Sequence, residues 1–228
     1  MFNYTIPEEC TRVKLDVGLS YSAPMSEVWL RNNPDDLVVF GFEPNPSCVE
    51  SISLGNIQKQ HHSHGEPLSD HFVKQHRFHL IPVALDNVDA PTKKSFYWNN
   101  DVGTSSLFKA HSHSLHKEVT VDVTSLKLFL KDFPWERFPY IEYLKIDAQG
   151  SDLNILKGAG DYLNKIVLIT AEGDGNQYQG AEGSNEGSIT DYLTNLGFEP
   201  FNGNTSDPTF VNPAYKDIID NIFIYQRG

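Results

Sequence analysis

Apolar runs rich in β-branched and aromatic residues recur along the chain, and segments with helical spacing or helix-start residues lie between most of them. Each run leads into Asp, Glu, Asn or Gly. This alternation predicts an α/β fold in which helices cover both faces of a parallel sheet. Five runs are the candidate strands: residues 13–17, 37–42, 78–85, 141–146 and 166–170.

Two further apolar runs lie near the C-terminus, at residues 198–201 and 221–226. Gly, Asn, Asp and Pro fill the gap between them and do not suit a helical crossover, so we predict an antiparallel pair at the sheet edge. The expected fold is a doubly wound, mostly parallel seven-stranded sheet with an antiparallel C-terminal strand. A chain of 228 residues with 39% hydrophobic content suits one domain over residues 1–228.

Residues that favour helix termini separate the strands. Proline suits a first helical turn, Ser and Thr suit N-caps, and glycine suits a stop. The start signals are Pro24, residues 44–47, Thr124 and the pair Ser188 with Asp191. This last pair resembles a capping box. The stop signals are Gly158 and Gly197. They predict helices at residues 25–30, 48–52, 125–133, 151–156 and 189–196.

Two stretches lack any helical or strand period. Residues 56–75 are polar and His-rich, and residues 174–186 are rich in Gly, Asn and Glu. We interpret both as mobile surface segments. The second follows the fifth strand, where a lid over an active site would lie, and a simple solvated loop is the alternative interpretation.

The chain is strongly acidic, with 30 Asp and Glu against 18 Lys and Arg and a net charge of −12. Such a field repels phosphate backbones and anionic membranes, so nucleic acid and membrane partners are not expected. Cys10 and Cys48 are too few for a disulfide framework. Neither a signal peptide nor a membrane-spanning run is apparent, which favours a cytoplasmic protein.

The first two candidate strands end in residues that suit a nucleoside. Asp16 and Gly18 close the first, where glycine lets the backbone turn and approach a ligand. Glu43 closes the second, where a carboxylate can accept hydrogen bonds from both ribose hydroxyls. Neither GxGxxG nor GxxxxGK[ST] occurs, so the loop lacks the glycines that hold pyrophosphate or triphosphate. A nucleoside without phosphates, such as S-adenosylmethionine, fits better.

Five motifs occur along the chain: DVG at 16–18, FEPNP at 42–46, VALD at 83–86, GTSSL at 103–107 and LKIDAQGSDLNILKG, the LKID motif, at 144–158. In sequence and order, over roughly residues 13–226, they resemble the FkbM family of S-adenosylmethionine-dependent methyltransferases. The LKID motif is the most specific and is similar to the family's K-I-D-x-E-G-x-E-x-x-x-L-x-G. The resemblance implies a Rossmann-like class I methyltransferase that transfers a methyl group to a hydroxyl of a sugar or secondary metabolite.

Carried onto this chain residue by residue, the resemblance implies a cofactor site and a catalytic site. The first strand and its loop would line the methionine side of S-adenosylmethionine, the second would hold the ribose and adenine edge, and the third would reach the exocyclic amine. The cofactor candidates are Asp16, Gly18, Ser20, Glu43, Asn45, Asp86 and Asn87. Asp147 would face the methyl group, and Glu172 is the second catalytic candidate. No metal ligand is implied.

The chain departs from the family pattern in its first loop and in the LKID motif. Leu19 and Ser20 stand where the family usually has a second glycine, and Gln149 and Asp152 replace two glutamates. A non-catalytic nucleoside-binding module or a nucleotide-sugar enzyme on the same fold is therefore the alternative function. The carboxylates have structural alternatives too, as loop caps, helix-dipole partners or acceptors of backbone amides.

Histidines cluster at residues 61–64 and 111–116 without accompanying metal-ligand spacing, so solvated side chains are the simpler interpretation. The second cluster is also a candidate source of a general base. We expect the acceptor to be a neutral or cationic hydroxyl compound held under a cover formed by residues 103–116 and 174–186. The alternative is a larger glycan bound in an open groove.

Overall fold

The computed structural model describes residues 3–54, 66–201 and 207–219. Its strands, numbered in chain order, are β1 Arg12–Val17, β2 Leu37–Phe42, β3 Phe78–Ile81, β4 Ala84–Leu85, β5 Thr92–Asn99, β6 Leu115–Thr124, β7 Ile141–Ile146, β8 Ile166–Ala171, β9 Glu199–Pro200 and β10 Thr209–Val211. Seven of these form one sheet in the order β3-β2-β1-β7-β8-β10-β9. The first five are parallel, and β10 is antiparallel to β8 and β9. The predicted α/β fold with a mostly parallel seven-stranded sheet is therefore confirmed.

The remaining strands form a second, three-stranded sheet in the order β4-β6-β5. β5 and β6 are an antiparallel hairpin, and β4 lies parallel to β6. The prediction of one strand over residues 78–85 is therefore wrong. β3 ends at Ile81, because Pro82 has no N–H to donate to a strand ladder and the Val83 amide turns back to donate to the Ile81 carbonyl at 2.9 Å. The chain thus leaves the large sheet before β4 begins.

The C-terminal edge contains a strand that the sequence pattern did not predict. β9, within the predicted run at residues 198–201, pairs antiparallel with β10, whose Phe210 and Val211 are buried. The pairing of residues 198–201 with residues 221–226 stays a prediction. Residues 221–226 lie outside the described residues. The antiparallel edge is thus present, and a segment that the sequence pattern missed supplies one of its strands.

The helices are α1 Pro24–Asn32, α2 Pro46–Ser53, α3 Asp70–Lys74, α4 Leu126–Leu130, α5 Asp152–Ala159 and α6 Glu186–Asn195. Three terminus predictions were wrong. The N-cap of α4 is Ser125 and not Thr124. The N-cap of α6 is Asn185, whose side chain accepts from the Ser188 amide, so Ser188 and Asp191 form no capping box. α5 continues past Gly158 to a left-handed Gly160.

Alternate residues of the central strands face two separate buried clusters, as a sheet covered on both faces requires. In β2, Val38 and Phe40 join a cluster with residues of α4, α5 and α6. Leu37 and Val39 join a second cluster with Trp29 and Leu30 of α1 and with Ile52 of α2. These two layers fix the parallel strands so that their carboxyl ends form one common edge.

Candidate functional site

A cavity of about 880 Å³ lies at the carboxyl ends of β1, β2, β7 and β8. Six of the nine predicted site residues line its polar half, and apolar side chains of the second sheet line the other half. The predicted residues that line it are Asp16, Gly18, Ser20, Glu43, Asp147 and Glu172, with Glu172 and Asp147 at the ends of the neighbouring strands β8 and β7.

Gly18 lines the cavity with backbone alone, and the other five supply polar side chains.

The loop after β1 packs directly against the end of β7. Gly18 has φ +83°, and a Cβ added to it would lie 1.8 Å from the carbonyl oxygen of Asp147. Ser20 and Ala23, later in the loop, have positive φ values of 54° and 45° although neither is glycine. The missing second glycine is thus replaced by ordinary residues in a left-handed conformation, which costs conformational energy.

Glu43 holds this loop in place. Its Oε2 accepts hydrogen bonds from the backbone N–H groups of Leu19 (3.1 Å) and Ser20 (2.9 Å), and its Oε1 accepts one from Asn45 (2.8 Å). Burial raises the pKa of Glu43 to about 7, although these three N–H groups act in the opposite direction. The carboxylate therefore changes its ionisation near neutral pH.

Asp16 is buried at the floor of the cavity. Its Oδ2 accepts a hydrogen bond from the Ser26 hydroxyl at 2.6 Å. Its Oδ1 has no hydrogen-bond partner within the part of the chain that the structure describes, and it lies 3.8 Å from the ammonium of Lys145. Burial raises the pKa of Asp16, and Lys145 partly offsets this. One acceptor atom is thus free in a buried polar environment.

Lys145 carries the positive charge of the site. Its Nζ lies 3.1 Å from Oδ2 of Asp147 and 3.5 Å from the carbonyl oxygen of Gly18. Burial alone would lower the pKa of Lys145, but the carboxylates of Asp147 and Asp16 outweigh burial and raise it. The lysine therefore stays protonated and stabilises both carboxylates.

Asp147 and Glu172 form a carboxyl pair that Gln149 bridges. The amide Nε2 of Gln149 donates to Oδ1 of Asp147 at 2.8 Å and to Oε2 of Glu172 at 2.5 Å. Burial would raise the pKa of Asp147, but the charge of Lys145 and the hydrogen bonds from Glu172, Gln149 and Lys145 together outweigh burial and lower it. Burial and the charge of Asp147 raise the pKa of Glu172 to about 10. At neutral pH the pair therefore keeps one proton, on Glu172, and one negative charge.

Three predicted cofactor residues lie outside the cavity lining. The Oδ1 of Asn45 caps α2 by accepting from the Ser47 amide at 3.1 Å. Asp86 accepts from the ammonium of Lys94 and from the amide of Asn87. The neighbouring residues 83–85 line the cavity instead. Contacts of these three residues with a cofactor remain predictions.

The segments 103–116 and 174–186 pair with each other beside the cavity. The His111 amide donates to the carbonyl of Gln177 at 2.9 Å, and the Gln179 amide donates to that of Lys109 at 2.8 Å. Tyr178 is fully buried between them. A simple solvated loop is therefore the wrong interpretation of residues 174–186.

The histidine clusters lie only partly at the site. His113 lines the cavity, whereas the ring of His116 packs against Trp98 with centroids 4.8 Å apart. Residues 61–64 lie outside the described residues. Among the residues that the structure describes, no group of three or more His, Cys, Asp or Glu side chains is arranged to hold a metal ion.

The sequence analysis gave no role to Lys145, Gln149 or Tyr178. Lys145 and Gln149 belong to the LKID motif, so their position next to Asp147 was a usable signal. Tyr178 lies in a segment without periodicity, and only the folded chain brings it to the site.

No helix in the described ranges is long and apolar enough to cross a bilayer. A search of curated proteins finds no match to the chain. The FkbM methyltransferase domain matches residues 18–200, which is most of the sequence. The match includes five of the six predicted residues of the cavity lining, namely Gly18, Ser20, Glu43, Asp147 and Glu172. The chain therefore belongs to the FkbM family and is a methyltransferase.

Proposed function

We propose that this methyltransferase uses S-adenosylmethionine to methylate a hydroxyl group of a neutral or cationic small molecule or glycan in the cytoplasm. The observation that carries the proposal is the shared cavity. Glu43, which suits a ribose, and the pair Asp147 and Glu172, which suits proton transfer, line the same 880 Å³ space. A nucleoside and an acceptor hydroxyl would thus meet there.

The residues at the end of β1 and β2 fit the cofactor. Gly18 leaves backbone accessible where a side chain would block it, and Oδ1 of Asp16 is an acceptor without a hydrogen-bond partner in the described chain. Glu43 would accept from the ribose hydroxyls, and Ser20 would flank the methionine portion. When bound, S-adenosylmethionine supplies a methyl group activated by its sulfonium charge.

The carboxyl pair supports a role in proton transfer. A hydroxyl that gains a methyl group must lose its proton, and a positioned carboxylate is a common acceptor for it. Asp147 is ionised and half-exposed to the cavity, whereas Glu172 holds its proton. We therefore assign the base to Asp147, with Glu172 as its partner.

The charge of the lining supports the acceptor class. Asp101 and Asp147 bring carboxylates to the lining, and among the described residues of the lining Lys145 is the only lysine or arginine. Lys145 already neutralises Asp147 and Asp16. A polyanionic acceptor would therefore find no free counter-charge, whereas a polyol or an amine would be tolerated.

Residues 103–116 and 174–186 support the proposed cover, because both lie beside the cavity and bond to each other. A cover excludes water that would compete in the displacement. Limited proteolysis with S-adenosylhomocysteine, with and without acceptor, tests this. Added protection of both segments in the ternary complex supports the cover, and unchanged cleavage indicates an open groove for a larger glycan.

Calorimetry tests the proposal directly. We expect S-adenosylhomocysteine to bind one site per chain and NAD not to bind. Glu43→Ala should weaken S-adenosylhomocysteine binding by about 1.5–3 kcal/mol, the usual loss for hydrogen bonds to a charged group. Glu27→Ala is the matched control, because buried Glu27 also accepts a backbone amide, from Ser69 at 2.7 Å, but does not line the cavity.

If the native chain and Glu43→Ala bind S-adenosylhomocysteine with equal affinity, Glu43 does not contact the ribose. Binding of NAD but not of S-adenosylhomocysteine would overturn the cofactor assignment. A screen of hydroxylated compounds for methyl transfer then identifies the acceptor.

A further inference from the structure

Gln149 occupies a strained position between the two carboxyl groups. Its φ is +54°, in the left-handed region that a side chain disfavours. Both hydrogens of its amide are used, one for Asp147 and one for Glu172. Strain of this kind persists where surrounding contacts hold the residue in place.

Tyr178 determines which end of this amide faces the carboxyl groups. Its hydroxyl lies 2.6 Å from Oε1 of Gln149 and donates to it, so Nε2 must point at the pair. A flipped amide would place its oxygen against ionised Asp147. The same hydroxyl lies 3.1 Å from the carbonyl of Thr104, and Ser106 donates to the Gln149 carbonyl at 2.6 Å. Both cover segments therefore contact this residue.

We propose that Tyr178 and Gln149 form a positioning relay that links the two cover segments to the Asp147 and Glu172 pair and sets how strongly that pair holds its proton. The relay exchanges no proton of its own. In the proposed reaction the acceptor hydroxyl gives its proton to Asp147 as its oxygen bonds to the methyl group, and the sulfonium becomes a neutral sulfide. Only this last assignment rests on the proposed function.

The amide should favour ionisation of the pair, because its two N–H groups bond to the charged forms. Removing them should raise the upper pKa of the pair, which is the one that belongs mainly to Glu172. Other charges also act on the pair and must stay unchanged in the comparison. Those facing it are Lys145 from β7, Asp16 from β1, Asp152 from α5, and Glu43, Asp174 and Asp207 from the connecting segments.

Carbon-13 NMR of protein labelled at the Glu side-chain carboxyl carbons measures this pKa without any ligand. The Glu172 resonance is assigned by its loss in Glu172→Gln. We expect it to titrate above pH 8 in the native chain and to shift upward by about half a pH unit or more in Tyr178→Phe. Gln149→Leu, which removes both N–H groups, should shift it further.

Tyr143→Phe is the matched control, because it removes a comparable bond, 2.7 Å from the Tyr143 hydroxyl to Thr170, outside the cavity lining. It should leave the Glu172 titration unchanged. Should Tyr178→Phe fail to fold, Gln149→Leu carries the test. An ordinary carboxyl pKa for native Glu172, or a titration that a folded Tyr178→Phe or Gln149→Leu leaves unaltered, overturns the relay.

The two proposals fail separately. If S-adenosylhomocysteine binds but neither Tyr178→Phe nor Gln149→Leu changes the pKa of Glu172, the proposed relay is wrong and the proposed function stands. If the titration responds but neither S-adenosylhomocysteine nor S-adenosylmethionine binds, the relay stands and the function is wrong.

Discussion

The backbone of Gly18 packs directly against the carbonyl group of Asp147. A Cβ added to Gly18 would lie 1.8 Å from the Asp147 carbonyl oxygen. The two residues end the adjacent strands β1 and β7, and the Asp147 amide donates to the carbonyl of Val17 at 3.0 Å. The loop proposed to hold the cofactor and the proposed base are thus fixed to each other through backbone.

Gly18→Ala should therefore damage both binding and stability. The left-handed φ alone costs about 1–2 kcal/mol, and the collision with backbone adds to it. Gly180→Ala is the control, because Gly180 has φ +82° with no atom within 4 Å of its added Cβ. Denaturant unfolding should show a larger loss for Gly18→Ala, with S-adenosylhomocysteine binding lost as well. Equal losses in the two variants would contradict this.

The affinity for S-adenosylhomocysteine should fall as the pH is lowered through about 7. Glu43, with its pKa at about 7, gains a proton there and loses the lone pair that a ribose hydroxyl needs. The decline should approach tenfold per pH unit well below that value. Calorimetry from pH 5.5 to 8.5 measures it. Glu43→Gln has no carboxyl group to titrate, so it should bind S-adenosylhomocysteine weakly and its affinity should vary less with pH. If the affinities of the native chain and Glu43→Gln instead vary with pH in parallel, another group causes the pH dependence.

Asp147→Asn should leave the fold intact and reduce turnover far more than cofactor affinity. Loss of a general base lowers rates by about 10²–10⁴-fold. S-adenosylhomocysteine affinity should change by less than about threefold, as for a residue that acts mainly in the transition state. Asp122→Asn, which breaks the exposed pair with Lys93, is the control. An unfolded variant, or one that loses the cofactor, would make Asp147 structural or a cofactor ligand.

The sequence predicted the large sheet well, because buried parallel strands are continuous apolar runs. β2 and β7 have the predicted bounds, and β1 begins only one residue earlier, at Arg12. β5 and β6 were missed although β6 carried a usable signal, the alternation of Val119, Val121 and Val123 with polar residues. Much of both strands is exposed, and β5 begins with four exposed residues, so neither strand forms a continuous apolar run. The contact of Gln149 with Tyr178 could not be predicted from the sequence, because it joins residues 29 positions apart and needs a left-handed backbone at Gln149.

Lys14 should make the free energy of unfolding depend on pH in the alkaline range. It is fully buried over the ring of Trp29, and its ammonium has no hydrogen-bond partner in the described ranges. Burial lowers the pKa of Lys14 to about 8. Below that pH the folded state holds a poorly solvated charge. Between about 8 and the unfolded value near 10.5 only the unfolded state binds the proton, so this group makes stability rise with pH.

Lys14→Met should remove this rise and stabilise the protein at pH 7 by up to about 3 kcal/mol, the equivalent of the pKa difference. Urea unfolding of both proteins at pH 7, 9 and 10 measures it, and tyrosine titrations cancel in the difference. Native and variant curves that stay parallel over this range would show that Lys14 ionises normally.

The hairpin of β5 and β6 contributes to the cavity from outside the large sheet. Residues 100–105 on its connecting loop form one wall, whereas the loops after β1 and β2 form the other. Strand pairing in the large sheet does not involve β5 or β6. If the proposed function holds, exchange of this loop for one of different shape should change which acceptor is bound and leave the strands of the large sheet in place. The hairpin is therefore a starting point for engineering selectivity.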